Sequence, residues 1–386
     1  MKRFVLHIIP GFGGGISSLV LNLAQEMAKR DVIFDIVTFE KPSFFFEDRV
    51  KRYGGSIFVL ESKSKIKKLR LLNNLLKTNK RKYELCHMHQ SGLRALFLSI
   101  VLRTNGIKRI AIHSHITSKE NGSSFKNIIK MFFGRFINRI ICTDKCSCSK
   151  MASDYMYGKG YYLKHNVFHI PNAIIWKNIV KNISSEEKET FFKMNDIKKG
   201  TFVIGHVGYF GYQKNHQFII DIAEKLADAH FDFVCLLVGV GEYEEKIKEE
   251  VKKRNLSKYI RFLGRSNNVG LIYSVMNLML LPSFFEGLPT VAIEAQAAGV
   301  PSFISDTVTP EADMGLGLTT YMSLSSVDDW VEKIKNFKNK RAPSKKIRFN
   351  IMSERKFLTG ESWKVYLYFL DKKLERYNLD EYAKIC

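Results

Sequence analysis

Nothing in this 386-residue sequence approaches the roughly 18 consecutive apolar residues of a membrane span, so no membrane-crossing helix is expected. The start, MKRFVLHIIPGFGGG, has basic residues and a short apolar run. His7 interrupts that run and a glycine turn ends it, so it reads as a first β-strand and not as a secretory leader. None of the six cysteines, Cys86, Cys142, Cys146, Cys148, Cys235 and Cys386, forms a C-x-x-C pair. The Cys142–Cys148 trio could be imagined as a metal cluster, but reduced thiols in a cytoplasmic protein are the expected state. There is no short-period repeat, no low-complexity tract and no Asp-x-Asp. The amino-terminal glycine loop is not a G-x-G-x-x-G fingerprint, because Ile16 holds the last glycine position. Acidic residues are scarce in one region: residues 51–150 hold 22 Lys and Arg against four Asp and Glu.

What is present is ordinary for a folded protein, with 45% hydrophobic and 26% charged residues. The length implies two domains, each able to bury its own core. The net charge of +23 is unevenly spread: residues 1–180 carry +20 of it and residues 181–386 only +3. A basic field confined to one half implies an anionic partner for that half.

Along the chain the rhythm is strand, turn, helix. Residues 2–9 read as a parallel strand; Gly11, Gly13, Gly14 and Gly15 follow, and Ile16–Lys29 repeat apolar residues at helical spacing. This geometry lets backbone approach a phosphate, and equally fits a tight turn. Residues 32–38 and 56–60 are the next strands. The segment 64–82 carries one apolar stripe (Ile66, Leu69, Leu72, Leu75, Leu76) amid lysines and arginines. It fits an outer solvated helix, or an amphipathic basic helix lying on an anionic membrane. Strands at 85–89 and 107–113 follow, the second running into His113-Ser114-His115. Ligands bind at such carboxyl strand ends in open α/β sheets, although a lone histidine there is more often structural. Residues 123–139 interleave Phe125, Ile128, Ile129, Phe132, Phe133, Phe136 and Ile137 with Lys126, Lys130, Arg135 and Arg139. That is more apolar and basic surface than one core face needs, and it suits a membrane, a lipid-linked ligand or a partner protein.

The stretch that organises the rest is LPSFFEGLPTVAIEAQAAGVP, 281–301. MLLPS ends a buried strand, Glu286-Gly287 turn, Pro289 suits a first helical turn, Thr290–Ala298 form the helix, and Gly299-Val300-Pro301 stop it. The helix start is an anion site. Glu294 lies roughly 7–8 Å down the axis from Pro289 at 1.5 Å per residue, placed to accept from ribose hydroxyls while a diphosphate rests on the loop. Glu286 would reach the group beyond the phosphates. On spacing alone, two surface glutamates fit as well.

FEGLPTVAIEAQAAGVP resembles the E-x7-E segment of the family 4 retaining glycosyltransferases. The SFISDTVTPEAD that follows is most similar to the capsular and exopolysaccharide branch. The resemblance implies an α/β GT-B fold, two doubly wound Rossmann-like domains facing each other across a cleft that holds a nucleotide-sugar donor. It places an acceptor-binding domain at 1–180, a donor-binding domain at 181–355, and a carboxyl-terminal helix at 356–386 crossing back to the first domain. It sets Gly14 and Gly15 against the donor phosphates and a histidine at the reacting centre. His113 matches best by register, with His115 a close rival. Pro171-Asn172 match the junction motif, where Ile175 replaces the usual aspartate. In GYFGYQKN, Lys214-Asn215 match G-R-x4-K-[GN], while Tyr209 stands at the arginine position, so one of two phosphate cations is missing. Arg265 would border the base.

These readings combine into a retaining hexosyltransferase that needs no metal on the diphosphate. Lys214 and the amides near Gly15 and Gly287–Leu288 would neutralise the diphosphate, Glu294 hold the ribose, Glu286 orient the sugar, and His113 position donor or acceptor. The expected partners are a nucleotide sugar, built on UDP in this reading of the family, a polyprenyl-diphosphate-linked saccharide, and the inner face of the plasma membrane met through 64–82 and 123–139. A sugar-nucleotide epimerase on the same fold is the alternative. Nucleic-acid binding would explain the charge but has no visible motif.

Overall fold

The computed structural model describes residues 2–12, 14–115, 117, 125–266, 268–338 and 341–372. It divides into two compact units, Met1–Ile174 with Ser353–Cys386, and Ile175–Met352. The end of the expected carboxyl-terminal helix region, 373–386, lies outside the described residues.

The first unit is built on seven parallel strands: β1 (Arg3–Ile8), β2 (Val32–Thr38), β3 (Ile57–Val59), β4 (Tyr83–Met88), β5 (Ile110–Ser114), β6 (Asp144–Ser147) and β7 (Phe168–His169), in the order β3-β2-β1-β4-β5-β6-β7. Every residue of β2 is buried, as expected of a strand covered on both faces. The order reverses between β1 and β4, and at that point helices leave the sheet toward opposite faces. Register pairs His7 with His87, so the histidines of the two strands meet where the order changes.

The second unit repeats the plan with six strands: β8 (Phe202–Val207), β9 (Phe233–Val238), β10 (Ile260–Gly264), β11 (Leu278–Leu281), β12 (Ser302–Ser305) and β13 (Thr319–Met322), ordered β10-β9-β8-β11-β12-β13. Its reversal lies between β8 and β11. The helix after β11 spans Thr290–Ala298 as the sequence predicts. Gly299 closes it at φ +86°, and Arg348 Nη1 donates to the Ala297 carbonyl at 2.6 Å.

The helix expected over 64–82 runs Lys65–Thr78. Its stripe packs inward, with Leu72 buried and Leu69, Leu71, Leu75 and Leu76 against the core, which leaves Ile66 as the exposed apolar residue. The amphipathic pattern here is therefore that of an outer helix, whose free face is basic. The helix Phe125–Ile141 differs. Ile129, Phe132, Phe133, Phe136 and Ile140 are exposed, and the neighbouring helix Gly92–Thr104 adds Leu93, Phe97 and Ile100. Two of the basic residues counted in that stretch are tied to backbone carbonyls, Arg135 half-buried and Arg139 still exposed. Arg135 donates to the Tyr155 carbonyl and Arg139 to that of Tyr157, both near the end of the Lys150–Tyr157 helix. The exposed face thus combines these apolar side chains with Lys130 and Arg139.

The helix Thr359–Leu370 packs on the helix Gly15–Ala28 within the first unit. Arg109 holds its end: it grips Asp144 with two nitrogens and donates to the carbonyls of Phe369 and Leu370 at 2.7 and 2.6 Å. Removing it leaves a largely buried carboxylate and two carbonyls without their cation. Arg109→Ala should cost about 3 kcal/mol. The thermal midpoint of the first unit should fall by roughly 5–10 °C; an unchanged melt would show that the helix docks by apolar packing alone.

Candidate active site

The second unit gathers its polar side chains at the reversal between β8 and β11. After β8 the chain passes Gly208 and Tyr209 into the short helix Tyr212–Lys214, with Asn215 in the left-handed region at φ +52°. Two glycines make this path possible. A Cβ on Gly208 would touch the Lys214 stem at 3.1 Å, and Gly239, at φ +143°, would drive one into the Gly208 carbonyl. After β11, Ser283 and Glu286 lead to the Thr290–Ala298 helix, and Glu286 bridges to Val308.

Lys214 and Glu286, 72 positions apart, meet there. Lys214 Nζ lies 2.6 Å from Glu286 Oε1, and both side chains are largely buried. Glu286 is held from two more sides: Gln213 Nε2 donates to Oε2 at 2.8 Å and Ser283 Oγ donates to Oε1 at 2.9 Å. Gln213 also donates to the Phe285 carbonyl, and Thr307 Oγ1 to that of Ser283. A buried ion pair is tolerated when its remaining lone pairs are hydrogen-bonded in this way. Gly287 and Leu288 continue the turn, Leu288 buried, into the helix start, where the Ala292 N–H donates to the Pro289 carbonyl at 3.1 Å.

Glu294, one face further along the same helix, is partly buried. Its Oε2 accepts the Tyr273 hydroxyl at 3.0 Å. Burial pushes its carboxyl up to about 7, against the opposing pull of the Tyr273 hydrogen bond and of the Lys214 charge. Lys214 thus acts on both glutamates of the E-x7-E segment. Tyr209 is exposed, its ring over Gly211. Arg265, also exposed, lines a separate groove of about 650 Å³ with Phe191, Met194, Leu263 and Leu271. Lys214, Glu286 and Glu294 do not line that groove.

In the first unit, Gly14 and Gly15 are exposed at the amino end of the Gly15–Ala28 helix, and Gly14 and Ser17 exchange hydrogen bonds. His113 ends β5 and is buried; His115 lies just beyond and is half-buried. They belong to a larger cluster that the sequence reading missed. His7 Nδ1 lies 3.3 Å from His89 Nε2, His89 Nδ1 lies 2.7 Å from His115 Nε2, and His87 Nε2 lies 3.2 Å from His113 Nδ1. The Tyr366 hydroxyl joins the two branches, at 2.9 Å from His87 Nδ1 and 3.2 Å from His7 Nε2. Burial holds all five imidazoles below their ordinary value, His115 at about 3, so they are neutral. Only His113 Nε2 among these buried nitrogens lacks a partner in the described residues. The missed signal was the repetition: VLHII, LCHMH and IAIHSH each put histidine at the end of a central strand. In the second unit Gln213, Tyr273 and Ser283 were equally unmarked, although Gln213 and Ser283 sit one and three positions before their motif residues.

Comparison with known proteins places this geometry. The family described as glycosyl transferases group 1 matches residues 187–351. EpsF of Bacillus subtilis (strain 168), a protein named as a glycosyltransferase, is 30% identical over 337 residues, covering 86% of this chain and 87% of its own. The chain belongs to the group 1 glycosyltransferases. An Escherichia coli relative, 27% identical over 63% of each chain, is named UDP-Gal:alpha-D-GlcNAc-diphosphoundecaprenol alpha-1,3-galactosyltransferase. The crystal structure of Anabaena Alr3699/HepE in complex with UDP-glucose has TM-score 0.71 at 14% identity, over 99% of this chain and 98% of that one. This glycosyltransferase therefore has the GT-B fold, as the E-x7-E segment implied, and the epimerase and nucleic-acid readings have no support.

The raised Glu294 carboxyl has a consequence for stability. Between the ordinary 4.5 and about 7, the folded glycosyltransferase keeps a proton that the unfolded chain has released. Stability should therefore fall as pH rises through that window, by about 3 kcal/mol in all, and level off above it. Glu294→Gln should flatten this part of the profile in melts taken from pH 5 to 8; a parallel profile would remove Glu294 as its source.

Proposed function

We propose that this glycosyltransferase transfers a sugar, with retention, from a UDP-sugar to a polyprenyl-diphosphate-linked saccharide in capsular or exopolysaccharide synthesis. The observation that carries the donor reading is the grouping of Lys214, Glu286 and Glu294 at one reversal point, around the start of one helix. Lys214 and the amides near Gly287–Leu288 stabilise the diphosphate as its charge grows on leaving. Glu294 accepts from the ribose hydroxyls, with Tyr273 fixing its rotamer. Glu286 orients the sugar, held in place by Gln213 and Ser283. His113 positions donor or acceptor, and Arg265 borders the base. No metal holds the diphosphate in this reading, because Lys214 and the helix start supply the positive charge.

The acceptor reading rests on the +18 of residues 51–150, on the exposed aromatic face of the 92–104 and 125–141 helices, and on the diphosphoundecaprenol acceptor named for the E. coli relative. We place the enzyme in the cytoplasm, resting on the inner face of the plasma membrane through that aromatic face and the basic face of the 65–78 helix. No described helix is long and apolar enough to cross a membrane.

Calorimetry with UDP, GDP, ADP and NAD tests the donor site. UDP should bind, and Glu294→Ala should weaken it by about 10–100-fold, the cost of an unmet hydroxyl pair. Glu286→Ala should keep UDP affinity and lower turnover. Binding that ignores Glu294 would end the ribose assignment.

Vesicle co-sedimentation tests the membrane reading. At low salt the wild type should prefer anionic over zwitterionic vesicles, and the double change Phe132→Glu, Phe133→Glu should release it. Equal recovery with both lipids would end the reading.

A further inference from the structure

The histidine cluster of the first unit has more nitrogens than its own hydrogen bonds use. A neutral imidazole has one N–H and one lone pair, so each ring can donate at one nitrogen and accept at the other. With an ion between His89 and His115, one assignment serves the rest of the network from both ends. His89 Nε2–H donates to His7 Nδ1, and His7 Nε2–H donates to the Tyr366 oxygen. His113 Nδ1–H donates to His87 Nε2, and His87 Nδ1–H donates to the same oxygen. Tyr366 has two lone pairs for these two donors. Its own hydrogen then has no acceptor in the network. Three lone pairs then face one another: His113 Nε2, which has no partner in any case, and His89 Nδ1 and His115 Nε2 (in its Nδ1–H tautomer), which stand 2.7 Å apart and share a hydrogen bond when no ion lies between them.

Those three rings are one of the two histidine triads in which one nitrogen from each lies within 4.8 Å of the others. The alternative triad, His7, His87 and His89, is poorer, because ligation by His87 would break a hydrogen bond to Tyr366 or His113, outside the triad, whereas the one bond lost in the preferred triad, His89 to His115, runs between two of its own ligands. At a Zn–N distance of 2.0–2.1 Å, tetrahedral ligands stand about 3.3 Å apart. His89 and His115 would open from 2.7 Å by about 0.6 Å, within the reach of His115, which is only half-buried and lies beyond the strand. The partners behind the ligands are already in place: His7 accepts from His89 and His87 from His113, which fixes tautomer and ring orientation as outer-shell partners of zinc ligands do. The ligand set is all imidazole with no carboxylate, which suits a borderline late transition ion such as Zn²⁺ and not Mg²⁺ or Ca²⁺.

We propose that His89, His113 and His115 form a binding site for one zinc-class divalent ion at the reversal point of the first sheet, with one tetrahedral position left open. The site shares only His113 with the proposed function, so failure of zinc binding would leave the donor site of the second unit standing. It involves none of Lys214, Glu286 or Glu294, and it does not require the ion to touch the donor diphosphate.

The test uses the full-length chain without an affinity tag, stripped with chelator and desalted. Zn²⁺ is titrated by calorimetry, and Co²⁺ is followed by its visible absorption. One ion per chain should bind, with the intense visible bands of four-coordinate Co²⁺, and Zn²⁺ should raise the melting temperature. His115→Gln should weaken binding at least tenfold and abolish the zinc-dependent rise in melting temperature. Absence of binding to wild type overturns the proposal, as does undiminished binding in His115→Gln, or loss of binding in His216→Ala of the second unit instead. If His115→Gln does not fold, X-ray absorption of the zinc-loaded wild type decides. A shell containing three imidazole nitrogens at about 2.0–2.1 Å supports the site, and an all-oxygen or sulfur shell overturns it.

Discussion

In each unit a parallel sheet reverses its strand order once, and the rest of the polar architecture follows from that reversal. Helices after β8 and β11, or after β1 and β4, leave toward opposite faces, so the strand ends between them are not roofed by a crossover. Side chains there can be removed from bulk water without being pressed into an apolar layer. The chemistry-bearing residues obey this placement. Lys214 follows β8, Glu286 and Glu294 follow β11, and the five histidines end β1, β4 and β5. The two glycines that let the Lys214 loop double back on the β9 turn, Gly208 and Gly239, are part of the same constraint, since any side chain at Gly239 would close it.

The two units bury polar groups by different means. The second uses charge: one cation, two carboxylates and a set of neutral donors that satisfy them, Gln213, Ser283 and Tyr273. The first unit carries +18 over residues 51–150, and its reversal point contains no buried carboxylate among the described contacts of the cluster. It uses neutral imidazoles, whose protonation burial suppresses. A further positive charge at that point would meet both the desolvation penalty and the field of the surrounding lysines and arginines. The neutral state of the cluster is thus dictated by its setting as much as by its depth.

The fold was legible in the sequence because its signals were local and redundant: short apolar runs ending in glycine or histidine, then helical spacing, repeated through both halves. The Thr290–Ala298 helix could be read to the residue, since Pro289 and Gly299 mark its ends. What could not be read depends on contacts between distant positions. The pairing of Gln213 with Glu286 spans 73 residues and that of Tyr366 with His7 spans 359. The basic–aromatic stretch 123–139 misled in part for the same reason. Its composition was right, but Arg135 and Arg139 reach back to carbonyls of the next helix, which one-dimensional spacing cannot show. The stripe of the 65–78 helix likewise reads the same whether it faces a core or a membrane.

The Lys214–Glu286 pair bears on how a donor would enter. At 2.6 Å and largely buried, each charge is the other's main partner, so a diphosphate must compete with a carboxylate for the ammonium. The competition is less costly than it looks, because Glu286 keeps the Gln213 and Ser283 hydrogen bonds when Lys214 turns away. A lysine suits this exchange better than an arginine would: a point charge on a flexible stem can change partners by rotation, whereas a guanidinium fork is tied to one planar geometry. Tyr209, exposed and uncharged where the resembling family carries arginine, leaves Lys214 as the one cation of that motif. The motif then holds one positive charge against two carboxylates, and Glu294, drawn up to about 7, is the one that can give up its charge to keep that site balanced until an anion-bearing ribose arrives.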